Sequence, residues 1–146
     1  MGPTDQGLPK TPALTVDCVI TDPDGRILLI RRKNEPFKGA FALPGGFVDL
    51  GETVEAGCRR EVREETGLSV GDLTLVGVYS EPGRDPRGHT VSVVFLARLP
   101  SAKTPMAGDD AEAAEWVADW RSQQLAFNHA QILEDAAQMA GAGARD

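Results

Sequence analysis

The stretch Gly46-Phe-Val-Asp-Leu-Gly-Glu52, followed seven residues later by Arg60-Glu61-Val62-Arg63-Glu64-Glu65-Thr66-Gly67-Leu68, decides how the rest of the chain is read. Thr53 to Thr66 favours helix, with Thr53 placed to cap its start and Gly67 placed to end it in the left-handed conformation. At 100° per residue, Glu61, Glu64 and Glu65 lie at about 0°, −60° and +40° on that helix, so three carboxylates share one edge. Like charges at these spacings repel, and the last turns of a helix already disfavour anions through the macrodipole. A divalent cation removes both penalties, and hard oxygen ligands suit Mg²⁺ or Mn²⁺. On an arbitrary helix the ordinary reading is a solvated acidic face with Glu64 paired to Arg60. Val54, Cys58 and Val62 lie beside the carboxylates and read as core.

Outward from the helix, Leu14–Thr21 and Ile27–Arg32 are β-rich runs separated by Asp-Pro-Asp-Gly, which predicts a hairpin. Phe41–Leu43 and Phe47–Val48 read as short extended pieces around Pro44-Gly45-Gly46. Leu73–Tyr79 and Thr90–Leu99 read as strands, with one more short strand at Trp116-Val117. Asn128 is placed to cap a last helix whose Ile132, Leu133, Ala136, Met139 and Ala140 recur at helical spacing. Strands, a helix, more strands and a closing helix predict an α/β fold with a mixed sheet and helices on its faces. The expected organisation is one domain over residues 13–140, between flexible tails at residues 1–12 and 141–146.

The 146 residues are 41% hydrophobic and 25% charged, the balance of a soluble globular chain, and no apolar run approaches the length of a membrane span. With no leader-like segment at the N-terminus, a cytoplasmic location is the expectation. Cys18 and Cys58 form no close-spaced metal or redox motif. A net charge of −7 disfavours broad binding to nucleic acid or to an anionic membrane. An anionic ligand therefore needs a local reversal of sign.

The quoted stretch resembles the Nudix box, matching its G-x5-E-x7-R-E-U-x-E-E-x-G-U pattern, U apolar, at every defined position. The resemblance implies an α/β/α sandwich that hydrolyses a nucleoside diphosphate linked to another group. It implies that Glu61, Glu64 and Glu65, joined by the backbone carbonyl of Gly45, bind the catalytic Mg²⁺ or Mn²⁺. Glu52 would support the loop, and Arg60 would orient the glutamates. A diphosphate suits such a site, because cations neutralise it and align a water for in-line attack.

Arg84-Asp-Pro-Arg87-Gly-His89, Ala107-Gly-Asp-Asp110-Ala and Leu125-Ala-Phe-Asn-His129 resemble the ADP-ribose pyrophosphatase branch of that family. The resemblance implies cleavage of ADP-ribose to AMP and ribose 5-phosphate. Arg84 and Arg87 are candidates to hold phosphate oxygens, although a polar hairpin loop is the plain alternative. His89 and His129 titrate near neutrality, yet a lone His is more often structural. Phe41 either stacks on adenine or fills the core. Arg31, Arg32, Lys33 and Lys38 either flank the diphosphate or decorate a strand end. Asp110 is the leading candidate for general base in an acidic loop that also holds Asp109, Glu112 and Glu115, with Glu61 the alternative. Two further readings stay open: a pool-sanitising enzyme acting on oxidised nucleoside triphosphates, and an ADP-ribose sensor without chemistry. Dimers are common in that branch, so a homodimer is also expected.

Overall fold

The computed structural model describes residues 7–109 and 111–144. Strand β1 (Ala13–Thr21) runs parallel to β6 (Thr90–Arg98) over its whole length, and β6 pairs antiparallel with β5 (Thr74–Tyr79). Strand β2 (Ile27–Arg32) pairs antiparallel with β3 (Phe41–Ala42) and with β7 (Ala111–Val117), and β4 (Gly45–Phe47) pairs with β1. Helix α1 (Val54–Thr66) and helix α2 (His129–Ala144) cover the sheet.

Alternation along β1 sorts the two faces. Val16, Cys18 and Ile20 pack with Cys58 and Val62 of α1, together with Leu28 and Phe95. Val19 instead joins Leu29, Phe41, Val94 and Leu96 against Ile132, Leu133 and Ala136 of α2. A helix therefore packs on each side of the mixed sheet, and both cysteines are buried and unpaired by any disulfide.

The Asp-Pro-Asp-Gly turn forms, but the hairpin beyond it opens. Asp22 Oδ1 accepts from the N–H groups of Asp24 and Arg26 at 3.0 and 2.8 Å, and only Thr21 and Ile27 then face each other. Past that point β4 takes the edge of β1 at Thr15–Asp17, while β7 takes β2. The split between β1 and β2 is what makes room for a site. Strand β7 is also longer than Trp116-Val117: its Ala-Glu-Ala-Ala start has low strand propensity, and pairing with β2 overrides it.

Helix α1 has its expected ends, with the Thr53 hydroxyl accepting from Ala56 N–H and Gly67 at φ 73° donating to Arg63 O. Gly67 is needed because a left-handed residue with a Cβ is strained. Met106 N–H and Gly108 N–H then donate to Thr66 O and Glu65 O at 2.8 and 3.1 Å. These donors satisfy carbonyls at the negative end of α1, next to its glutamates. Helix α2 runs from His129 to Ala144. Asn128 O accepts the first helical bond from Ile132 N–H, but its side chain serves Arg84 and does not cap the helix.

Candidate active site

At the outer end of the split lies the Arg60 network. Arg60 Nε and Nη2 donate to the two oxygens of Glu52 at 2.8 and 2.9 Å, Nη1 donates to Glu61 Oε1 at 2.8 Å and Glu64 Oε1 at 3.1 Å, and Nη2 also reaches Phe47 O. One planar guanidinium thus ties the loop before α1 to two carboxylates on it. The Arg60 bonds, joined by one from Asp49 N–H, hold Glu52 down to about 2. These contacts join Glu52, Arg60, Glu61 and Glu64, all singled out from the sequence, into one network.

Glu65 points inward, where its Oε2 accepts from Gly45 N–H at 3.0 Å. Burial raises the carboxyls of Glu61 and Glu65; Arg60 works against this at Glu61, and the Gly45 bond works against it at Glu65. Their mutual repulsion adds to the burial effect at Glu65. Gly45 is required by close approach, since a Cβ there would fall 2.2 Å from Val16 O and 2.4 Å from Asp17 Oδ1. Among the described residues, no three acidic, His or Cys side chains close on a common point as a finished metal cage. The donor chemistry nevertheless fits a hard divalent cation: the carboxylates of Glu61 and Glu65 crowd one another and burial works against their charge.

The inner end is a half-open pocket of about 70 Å³, lined by Asp17, Arg32, Gly45, Glu65, Arg84 and His129 among others. Asp17 lies on the face of β1 turned toward α2, and Ser92 Oγ donates to its Oδ2. Arg84 Nη2 stands 3.9 Å from Asp17 Oδ2 and His129 Nε2 stands 3.6 Å from Oδ1. Burial pushes the Asp17 carboxyl up to about 7, against the opposing pull of Ser92 and Arg84. Burial, with Arg84 and Arg32 nearby, pushes His129 down to about 3. At the mouth, the Arg87 guanidinium lies 5.4 Å from the Phe47 ring and 5.8 Å from the Phe127 ring. Although burial works against it, Asp85 is held below the usual carboxylate range by hydrogen bonds from Arg87.

The structure treats the remaining sequence candidates unequally. Arg84 lines the cavity, but its donors are committed to Asn128 Oδ1 and Thr90 Oγ1 and its side chain is only 4% exposed, so it is a buried brace rather than a surface phosphate clamp. Arg87 borders both the cavity and the outer groove. Phe41 takes its core alternative, at 3% exposure among the α2-side residues. His89 is exposed, holds Ser80 O at 2.8 Å and borders neither opening. Asp110 lies outside the described residues. Asp17 and Phe127 were missed; the available signal for Asp17 was a charge inside an otherwise apolar strand.

A two-faced sandwich whose sheet splits over an acidic helix sets clustered carboxylates beside an opening bordered by Arg32 and Arg87. The chain belongs to the Nudix family: the NUDIX domain model matches residues 11–138. It is 52% identical, over 85% of its length and 72% of the relative's, to the ADP-ribose pyrophosphatase of Methanocaldococcus jannaschii. It is 36% identical, over 86% of its length and 53% of the relative's, to the ADPR responsive transcriptional repressor NtrR of Acinetobacter baylyi. The NUDIX domain of Shewanella oneidensis NrtR, solved in complex with ADP ribose, superposes with a TM-score of 0.86 at 30% identity, covering 93% of each chain. The fold and box place this chain among the hydrolases of the family, and no helix of the described residues is long and apolar enough to cross a membrane.

Proposed function

We propose that the enzyme hydrolyses ADP-ribose to AMP and ribose 5-phosphate with Mg²⁺, Mn²⁺ being an alternative. The observation that carries this reading is the juxtaposition, across Gly45, of burial-raised Glu65 with a cavity that holds Asp17, Arg84 and His129. The likeness to an ADP-ribose pyrophosphatase at 52% identity supports it. Glu61, Glu64 and Glu65, with the carbonyl of Gly45, would hold the ion. When bound, the ion supplies charge neutralisation at the diphosphate and a more acidic water.

The chain's own residues do the rest. Arg60 keeps Glu61 and Glu64 oriented, and Glu52 keeps Arg60 in place. Arg32 and Arg87, at the border between groove and cavity, bring positive charge to the phosphates of a chain that is acidic overall. Glutamates held by the ion are poor proton acceptors, so the acceptor is an acid in the loop before β7, where Asp110 remains the leading proposal, or Glu61 if the ion spares it.

The test is turnover by purified protein with Mg²⁺ on ADP-ribose, diadenosine polyphosphates, NADH and 8-oxo-dGTP, compared by kcat/KM. AMP release with ADP-ribose as the best substrate is expected. Pyrophosphate release with 8-oxo-dGTP as the best substrate overturns it in favour of pool sanitising. The likeness to an ADPR responsive repressor favours sensing as the second reading. Calorimetric binding of ADP-ribose without any product would establish that instead.

A further inference from the structure

Two polar atoms in the inner cavity have no hydrogen-bond partner among the described residues. Asp17 uses Oδ2 for Ser92, while Oδ1 accepts from no described residue. His129 accepts from the backbone N–H of Leu43 on Nδ1 at 3.0 Å, so the neutral ring carries its proton on Nε2, which donates to no described residue. Oδ1 and Nε2 stand 3.6 Å apart, beyond a mutual hydrogen bond. Among the described residues every fully buried side-chain nitrogen or oxygen has a partner, so these two are the ones that open onto the cavity. An acceptor and a donor are thus presented side by side, fixed from behind by Ser92 and Leu43.

Their place relative to the glutamates limits what they meet. A Cβ on Gly45 would fall 2.4 Å from Asp17 Oδ1, and the N–H of the same Gly45 reaches Glu65 Oε2. The seat therefore begins one residue away from the carboxylates assigned to the diphosphate. A furanose joined to phosphorus through one methylene spans that short step; a purine, set back by a whole ribose, does not. Two neighbouring hydroxyls match the pair, since each hydroxyl both donates and accepts.

We infer that Asp17 and His129 seat the terminal pentose, the one on the side of the diphosphate away from the nucleoside, Asp17 Oδ1 accepting from one hydroxyl and His129 Nε2–H donating to its neighbour. This rests on the ADP-ribose reading for the identity of that pentose as the terminal ribose. Asp17 is thereby the residue that distinguishes a nucleoside diphosphate sugar from a nucleoside triphosphate, which puts a third phosphate where the sugar would sit. A buried acceptor left without its hydroxyl is penalised strongly, and this is the source of the discrimination.

The experiment is calorimetric titration of the full chain, wild type and Asp17→Asn, with ribose 5-phosphate, 2-deoxyribose 5-phosphate and AMP. Wild type is expected to bind ribose 5-phosphate at least about tenfold more tightly than its deoxy counterpart. Asp17→Asn is expected to lose that preference while binding AMP as wild type does. Equal binding of the two sugars by wild type, or no measurable binding of ribose 5-phosphate, overturns the inference. So does a variant that loses AMP and keeps ribose 5-phosphate, which would assign the seat to the adenosine half. If Asp17→Asn does not fold, the two sugars on wild type decide alone. Failure of wild type to cleave ADP-ribose refutes the proposed reaction and leaves the sugar comparison to judge the seat separately.

Discussion

The two ends of the split between β1 and β2 handle charge in opposite ways. At the outer end, Arg60 gathers Glu52, Glu61 and Glu64, its side chain and that of Glu64 both in contact with solvent at 22% and 52% exposure. At the inner end, Arg84, Asp17, Ser92 and His129 come together from four distant segments and are nearly sealed from water. The outer set is gathered by charge-assisted hydrogen bonds around one guanidinium that solvent still reaches, so its geometry is free to serve an ion and a substrate. The inner set pays heavily for burial and is held from behind by Ser92 on Asp17 and by Leu43 N–H on His129, which makes it part of the fold as well as of the site. Chemistry should therefore fail first at one end and stability first at the other.

The largest effect breaks the comparison at its boundary, Glu65, which touches both ends. Glu65→Gln is expected to lower kcat for the best substrate by about 10³-fold or more, with Glu64→Gln lowered by orders of magnitude as well, because each removes a charge that only the ion and the transition state use. Thermal unfolding of Glu65→Gln near pH 7 should be unchanged or slightly raised, since burial pushes the Glu65 carboxyl up to about 9 and the folded state must protonate it, a cost the neutral amide does not carry. A variant with wild-type turnover would remove Glu65 from the site altogether.

The two arginines sharpen the comparison. Arg84→Ala leaves Asp17 and Asn128 without their buried partner and should cost about 3–5 kcal/mol of stability, read from denaturant unfolding. Arg60→Ala disrupts a network in contact with solvent and should cost no more than about 1 kcal/mol, while lowering kcat by about 10–100-fold through misplaced glutamates. Reversed rankings, with Arg60→Ala the less stable protein, would show that the outer network is a structural clasp.

The same contrast explains what could be read from the sequence. The outer end is written almost contiguously, from Gly45 to Leu68, so spacing alone places Glu52, Arg60 and the three glutamates on one loop and one helix edge. The inner end draws on β1, β6, the loop at Arg84 and the first residue of α2, and no local pattern joins Asp17 to His129. Arg84 looked like a phosphate clamp because a loop sequence does not reveal that Asn128 lies behind it. Strand β7 was read short for the related reason that alanine and glutamate become a strand only when β2 is there to pair with them. Phe41 was ambiguous because an aromatic residue in a two-residue strand is core or platform depending on a helix far along the chain.

The smallest effect is a pH signature, and its sign differs between the ends. Glu52 sits at about 2 when folded against an ordinary 4.5, so its stabilising contribution is present above 4.5 and is lost as pH falls toward 2. The melting temperature of Glu52→Gln should therefore lie below wild type at pH 6, and the gap should close in acid. Asp17 sits at about 7 against an ordinary 3.8, so the folded state takes up a proton as pH falls from 7 to 3.8 and gains stability relative to the unfolded chain. His129, at about 3 against 6.5, does the reverse: the unfolded chain takes up that proton first and the fold loses stability over 6.5 to 3. In wild type the two opposing uptakes offset each other across pH 4–6.5. Asp17→Asn removes the compensating half, so its melting temperature should fall relative to wild type as pH drops, the direction opposite to that of Glu52→Gln. Parallel trends in the two variants, followed by thermal melts at pH 7, 6, 5 and 4, would mean that the inner carboxyl is hydrated like the outer one and that the cavity is not the sealed seat its contacts describe.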